Sequence, residues 1–364
     1  MSTESRRRTR IVDLSRPGGA VRVEIDASEA ADVLLSACGV TAPEEDFDSY
    51  EVGGDWIREL RASLDPGLLE GMSAVAGTSA KLLTRLLGVV DELPPPRSFA
   101  SFLARLEELD PLELELVVLG YYVRGYHAAL PSDDILAATR GDVAARARVL
   151  EVTTEWPDAG RAAETVLDRG GEWLKERLLE LLPRWYDEVF ARVAAEALPA
   201  LEQDAAAKRE LIRDRSPEEA VELVTSGVQY TAPRDVRKIV LFPTYWLRPW
   251  VLFTDHKDVR IFCYSVGEPV VPADVPGPAQ LARIFKALGD EGRLKLLKRL
   301  SEGPMGLADA AGLLGVAKST AHHHMAVLRQ AGFVFVRDED ENMYSLRSDL
   351  LPQAGALLDA YLRR

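Results

Sequence analysis

Apolar positions recur at helical spacing through most of the first 227 residues and at strand spacing beyond them. Leu114, Val117, Val118, Tyr121 and Tyr122 form one helical stripe, and Leu174, Leu178, Leu181 and Leu182 form another. The first stripe places Tyr121, Tyr122, Tyr126 and His127 on one helix. Arg10–Leu14 and Ala20–Asp26 flank an Arg-Pro-Gly-Gly turn and predict a β-hairpin. Asp26-Ala-Ser-Glu29 fits a capping box, opening a helix that ends near Gly39. Past Thr231 the pattern predicts strands at Lys238–Phe242, Trp250–Phe253 and Val259–Tyr264. The turn-like Asp255–Asp258 pairs the last two as a hairpin. Together with the N-terminal hairpin these strands predict a small antiparallel sheet. Residues 8–26 and 236–264 then come together and close one mostly helical α+β domain.

Two proline runs punctuate the chain. Pro94–Pro96 marks a break between helices. Gly267–Pro278 has four prolines and two glycines in twelve residues and reads as a semi-rigid linker. The expected domains are therefore 1–266, regulatory and dimerising in role, the linker 267–278, and a small module at 279–364.

The small module carries the specific pattern. Helices are predicted at Ala279–Leu288, Glu291–Leu300 and Gly306–Leu314, then a turn at Gly315 and a further helix over 317–331. Two short strands, Phe333–Arg337 and Met343–Leu346, surround a polar tip with four acids. This order is that of a winged helix-turn-helix. Small Ala311 allows a close helix crossing, and Ala321, Met325, Leu328 and His324 turn inward. That leaves Lys318, Ser319, Thr320, His322 and His323 outward at the start of the recognition helix, where such proteins read bases. Arg329 and Arg337 are expected on phosphate.

The segments Phe285–Leu297, Leu307–Val316 and Ser319–Val334 resemble the ArsR-type winged-helix repressors of bacteria. The resemblance covers about a quarter of the chain. It implies a dimeric DNA-binding transcription factor, a repressor released by an effector and reading a palindromic operator. This chain departs from the family's metal sensors. Leu307-Ala-Asp-Ala-Ala-Gly312 lacks their Cys-x-Cys motif, and the C-terminal helix Leu350–Leu362 has no His. No metal or other cofactor is expected. Ala317 stands where a capping Ser is common.

Charge sharpens the division. The net charge is −14 over 364 residues, but 279–364 carries +2 and the rest −16. Repulsion between DNA and the acidic part would orient the module and keep non-specific binding weak. Of the five histidines, His322, His323 and His324 lie in the module. Consecutive helical residues point roughly 100° apart, so these three do not converge on one ion. The two cysteines, Cys38 and Cys263, read as packing residues, and a reducing cytoplasm is the default. No apolar run is long enough to span a membrane. Tyr122, Tyr126 and His127, with Trp246, Arg248 and Trp250, are the candidates for an aromatic-lined effector pocket, although plain core packing would look similar. Nucleophile elbows, phosphate-binding glycine loops and His-Glu-x-x-His are absent, so no enzyme is expected. The alternative reading is a winged helix that binds protein rather than DNA, which the acidic wing tip favours.

Overall fold

The computed structural model describes residues 21–363 apart from 51, 127–128, 154–156, 268–277, 338–341 and 348–349. Strand β1 (Arg22–Ile25) leads into α1 (Glu29–Val40). A run of helices follows: α2 (Gly54–Ser63), α3 (Pro66–Ala76), α4 (Leu87–Asp91), α5 (Phe99–Glu108), α6 (Pro111–Leu119), α7 (Ser132–Thr139), α8 (Val143–Thr153), α9 (Pro157–Glu188), α10 (Ala194–Leu211) and α11 (Pro217–Val224). Next come β2 (Val228–Gln229), β3 (Lys238–Thr244), β4 (Val251–His256) and β5 (Val259–Ser265). The C-terminal module holds α12 (Pro278–Leu288), α13 (Glu291–Leu300), β6 (Met305–Gly306), α14 (Leu307–Leu314), α15 (Lys318–Gln330), β7 (Val334–Arg337), β8 (Met343–Leu346) and α16 (Leu350–Leu362). The class is α+β. Among the described residues no helix is long and apolar enough to cross a membrane. The expected strand Arg10–Leu14 and most of the linker lie outside the described residues.

The first sheet runs β1-β3-β5-β4. It is mixed, not antiparallel as expected: β1 and β5 both lie parallel to β3, and β4 alone runs against β5. The β4–β5 hairpin forms as its turn predicts, but it docks through β5 rather than β4. Strand β5 is buried at six of its seven positions. Its near-continuous apolar run, Val-Arg-Ile-Phe-Cys-Tyr, suits a central strand covered on both faces. β4 takes the edge.

Helix α1 is buried at every position from Ala30 to Val40, so it is a central helix rather than a surface one. Its cap is Ser28, not Asp26: Ser28 Oγ accepts from Ala31 N at 3.1 Å. Asp26 is drawn away to Arg97, 2.8 Å off. Asp32, fully buried on α1, accepts from Thr244 Oγ1 at 2.7 Å and Tyr245 N at 3.0 Å, tying the helix to the end of β3. Desolvation raises its carboxyl to about 7, outweighing those two bonds. A carboxyl raised on folding supports stability below its unfolded pKa, and that support is lost as pH climbs through the folded value. The stability advantage of Asp32→Asn over the wild type is therefore expected to grow from about pH 4 to pH 7 and stay flat above. Urea midpoints across that range check it, and an advantage independent of pH would contradict it.

Helix α6 stops sooner than its stripe suggests. Gly120 takes a left-handed conformation (φ 92°) at its C-cap, so Tyr121 and Tyr122 lie past the helix. Helix α9 is broken at Gly170 (φ 78°), and Gly171 packs on the start of α6. A Cβ on Gly171 would stand 2.0 Å from the Pro111 carbonyl oxygen, which is backbone and cannot swing aside. Gly171→Ala is expected to cost about 2 kcal/mol or more in denaturant unfolding. Gly312→Ala, which meets open space on α14, should be neutral or stabilising.

Candidate DNA-binding face

The C-terminal module builds its own core. Ile284, Leu296, Leu300, Ala310, Ala321, Met325, Leu328, Phe333 and Tyr344 are buried together. Asp290 caps α13 by accepting from Arg293 N at 2.9 Å. Gly315 closes α14 in the left-handed region (φ 67°), making the tight turn into α15. Strands β7 and β8 pair antiparallel, and β6 joins through Met305 opposite Tyr344. The wing tip at 338–341 lies outside the described residues.

The inward residues of α15 fall where the spacing puts them: Ala321, Met325 and Leu328 are buried. His324 is half-buried, with Nδ1 3.5 Å from Asp290. Lys318, Ser319 and Thr320 are exposed at the start of the helix. Ala317 provides no capping oxygen, and no acid sits in the first turn. The positive end of the helix dipole is thus left to whatever approaches it. Arg337 is exposed at the end of β7.

Three other expected contacts lie elsewhere. Arg329 is buried rather than on the surface. Its guanidinium donates to the Thr225 carbonyl and to the Pro249 carbonyl at 3.1 Å, both in the large domain. Desolvation pulls its pKa down to about 10. A guanidinium spent on carbonyls is not available to phosphate in this arrangement. His322 packs on Trp250 with ring centroids 4.7 Å apart and planes tilted by 48°, and His323 lies 5.8 Å from the same ring. Burial lowers both imidazoles to about 4, so they are neutral at physiological pH.

The large domain also adds a strand to the wing. β2 pairs parallel with β7, Val228 opposite Val336 and Gln229 opposite Arg337, giving a second sheet of order β2-β7-β8-β6. Val336 N donates to Gly227 O at 2.9 Å. Gly227 has φ 112°, and its Cβ would approach Val334 O at 3.1 Å, so the backbones meet closely there. Arg347 lies 4.0 Å over the Phe335 ring and donates to Glu222 Oε1 at 2.9 Å. None of the large-domain partners, Glu222, Gly227, Val228 and Gln229, is singled out by the sequence. The only signal was Thr225-Ser-Gly227, a turn ahead of a short apolar run.

The residues expected to line an effector pocket are not brought together. Tyr122 donates to Glu113 at 2.8 Å and packs on His256. Trp246 is buried against Trp56 in the main core. Arg248 donates to the Val266 carbonyl beside Lys208 and Arg283. Trp250 faces α15. His127 lies outside the described residues, as does the side chain of Tyr126. Two crevices at the joint, one walled by Trp250, His322 and Arg329 and one by Lys208, Arg248 and Arg283, enclose about 30 Å³ each. A drug-sized ligand needs roughly 300 Å³ or more. Among the described residues no group of three His, Cys, Asp or Glu side chains could hold a metal ion.

A helical core, a turn at Gly315, a helix with an exposed polar start and a two-stranded wing define a winged helix-turn-helix module. Residues 290–335 match the model of the bacterial regulatory protein arsR family. The chain belongs to that family. It is 36% identical over 66 residues to the HTH-type transcriptional regulator NmtR of Mycobacterium tuberculosis, covering 18% of this chain and 55% of that protein. It is 35% identical over 68 residues to the cadmium resistance transcriptional regulatory protein CadC homolog of Staphylococcus aureus, covering 18% and 56%. An uncharacterized HTH-type transcriptional regulator of Bacillus subtilis, YceK, is 37% identical over 71 residues, 19% of this chain and 71% of that one. The chain thus spans just over half the length of the first two relatives. No solved structure matches it.

Proposed function

We propose that the protein is a homodimeric repressor that reads a palindromic operator with α15 and is released by a small-molecule effector. Residues 279–364 would read DNA, and residues 1–266 would set the spacing of two recognition helices. What carries the reading is the first turn of α15. Lys318, Ser319 and Thr320 stand exposed together at an uncapped helix start, which suits phosphate and base edges at once. Arg337 would support them on the backbone of the duplex. An effector acts by binding one arrangement of the two domains better than another and so shifting the population able to bind DNA.

Selection of bound duplexes from a random pool tests this. The expected product is a two-fold site whose half-sites lie about 10 base pairs apart or a multiple of that. No enriched sequence at low salt, from the wild type or from Trp250→Ala, would overturn it. A second reading, a winged helix that binds protein, is favoured by one observation: β7 already pairs with a strand of the large domain. A flat dependence of duplex affinity on salt would support that reading, because phosphate contact makes the dependence steep.

A further inference from the structure

We propose that the large domain is an intrinsic inhibitor of the winged helix. In this view it covers the recognition face of α15 beyond its exposed first turn in the arrangement seen here, so the domains must part before α15 enters a groove. The proposal deepens the DNA-reading function above and rests on it.

Lys318, His322, Ala326 and Arg329 lie four, four and three residues apart, and so line up along one face of α15. The face starts free and ends covered. Lys318 is exposed, His322 packs on Trp250, Ala326 is 4% exposed, and Arg329 is bound to the Thr225 and Pro249 carbonyls. The turn at Glu44–Ser49 also lies against α15. A helix with its side chains is about 10–12 Å across, and the major groove is about 12 Å wide. The groove holds the helix alone, with no room for an indole and two backbone segments on the same face. Large domain and duplex therefore compete for one surface.

The contact has the composition of an interface that opens. It combines a tilted aromatic contact, a two-residue strand pair, one half-buried ion pair (Arg347–Glu222) and a buried guanidinium on carbonyls. A crevice of about 30 Å³, walled by Trp250, Phe253, His322 and Tyr344, runs through it. Apparent affinity for DNA falls by the fraction of molecules that are open. A contact that holds nine molecules in ten closed costs tenfold.

The test uses the full chain and a random-sequence duplex of about 30 base pairs at low salt, where backbone contact suffices. Two changes confined to the large domain, Trp250→Ala with Glu222→Lys, are expected to tighten binding about tenfold. A Val228→Cys/Val336→Cys pair, placed on opposed positions of β2 and β7, locks the joint when oxidised. Cys38 and Cys263 are buried and do not interfere. The oxidised form, left with almost no open fraction, is expected to bind far more than tenfold more weakly than the same protein after reduction. The locked pair keeps the test sound if Trp250→Ala lowers stability. Equal affinities for wild type, loosened and locked forms would overturn the inhibition while leaving DNA reading intact. No binding by any form, reduced or oxidised, would overturn DNA reading and the inhibition with it.

Discussion

Arg97→Met is expected to unfold the large domain under conditions where the wild type is folded. Arg97 is buried, with a side chain 3% exposed, and its guanidinium faces three carboxylates. It lies 2.8 Å from Glu24, 2.8 Å from Asp26 and 3.2 Å from Asp91. Lys238 adds a second cation, 2.7 Å from Asp91. The cluster pins β1 to α4 and to β3, so it holds the edge of the first sheet. Removing one partner of a buried ion pair costs about 3–5 kcal/mol, because the charges left behind stay desolvated. Here three carboxylates would remain against the Lys238 ammonium and the largely exposed Arg22. A domain is commonly stable by only about 5–15 kcal/mol, so the loss takes a large share. The effect depends on pH. Desolvation pushes the Glu24 carboxyl up, but the hydrogen bond and charge of Arg97, with Lys238 and Arg22, bring it below its usual value. A lowered carboxyl supports folding above its unfolded pKa, and that support is lost as pH falls through the folded value. The gap between wild type and Arg97→Met is thus expected to be widest near neutrality and to narrow below about pH 4. Urea unfolding at pH 7 and pH 4 measures both. A gap under about 1 kcal/mol at pH 7 would mean that the cluster rearranges around its loss.

Nothing local marks Arg97. It follows Pro94–Pro96 and reads as a loop cation, because its three partners arrive from β1 and α4. The same physics separates what was legible from what was not. The winged helix could be read because its information is short-range: helical spacing, the positive-φ turn at Gly315, and inward Ala321, Met325 and Leu328. The β4–β5 hairpin was equally local. The sheet order was not, since residues 26–237 intervene between β1 and its neighbour β3 and no periodicity spans them. The aromatic stripe at Tyr121–Tyr122 was cut by Gly120, a residue that periodicity alone passes over. Arg329 is engaged elsewhere in this arrangement for the opposite reason. Its position near the end of α15 is right for a phosphate contact, but Thr225 and Pro249 bring carbonyls to it from elsewhere in the chain. Trp250 was singled out for a ligand pocket and instead meets the recognition helix.

Replacing Lys318, Ser319 and Thr320 together with alanine is expected to weaken binding to the selected operator on the order of a thousandfold. Each side-chain contact to a base edge is worth roughly 1–3 kcal/mol of discrimination, and a phosphate-bound Lys adds a non-specific share. Two such contacts and one lysine reach about 4 kcal/mol, or roughly three powers of ten. Losing Lys318 should also lower the slope of log affinity against log salt by about 1. All three residues are exposed, so the folded state should keep its unfolding midpoint, and a lost fold cannot imitate the result. His322→Ala, one turn further along the same face, carries the opposite sign. As a surface contact His322 would weaken DNA binding on removal. As the neutral ring packed 4.7 Å from Trp250 it holds the joint closed, and its removal should strengthen binding. Side-by-side titrations of the two variants separate the roles. If both lose affinity, α15 reads DNA over two turns and the contact with Trp250 gives way easily. If only the triple variant loses it, while His322→Ala gains, the first turn reads and the second turn is where the large domain holds on.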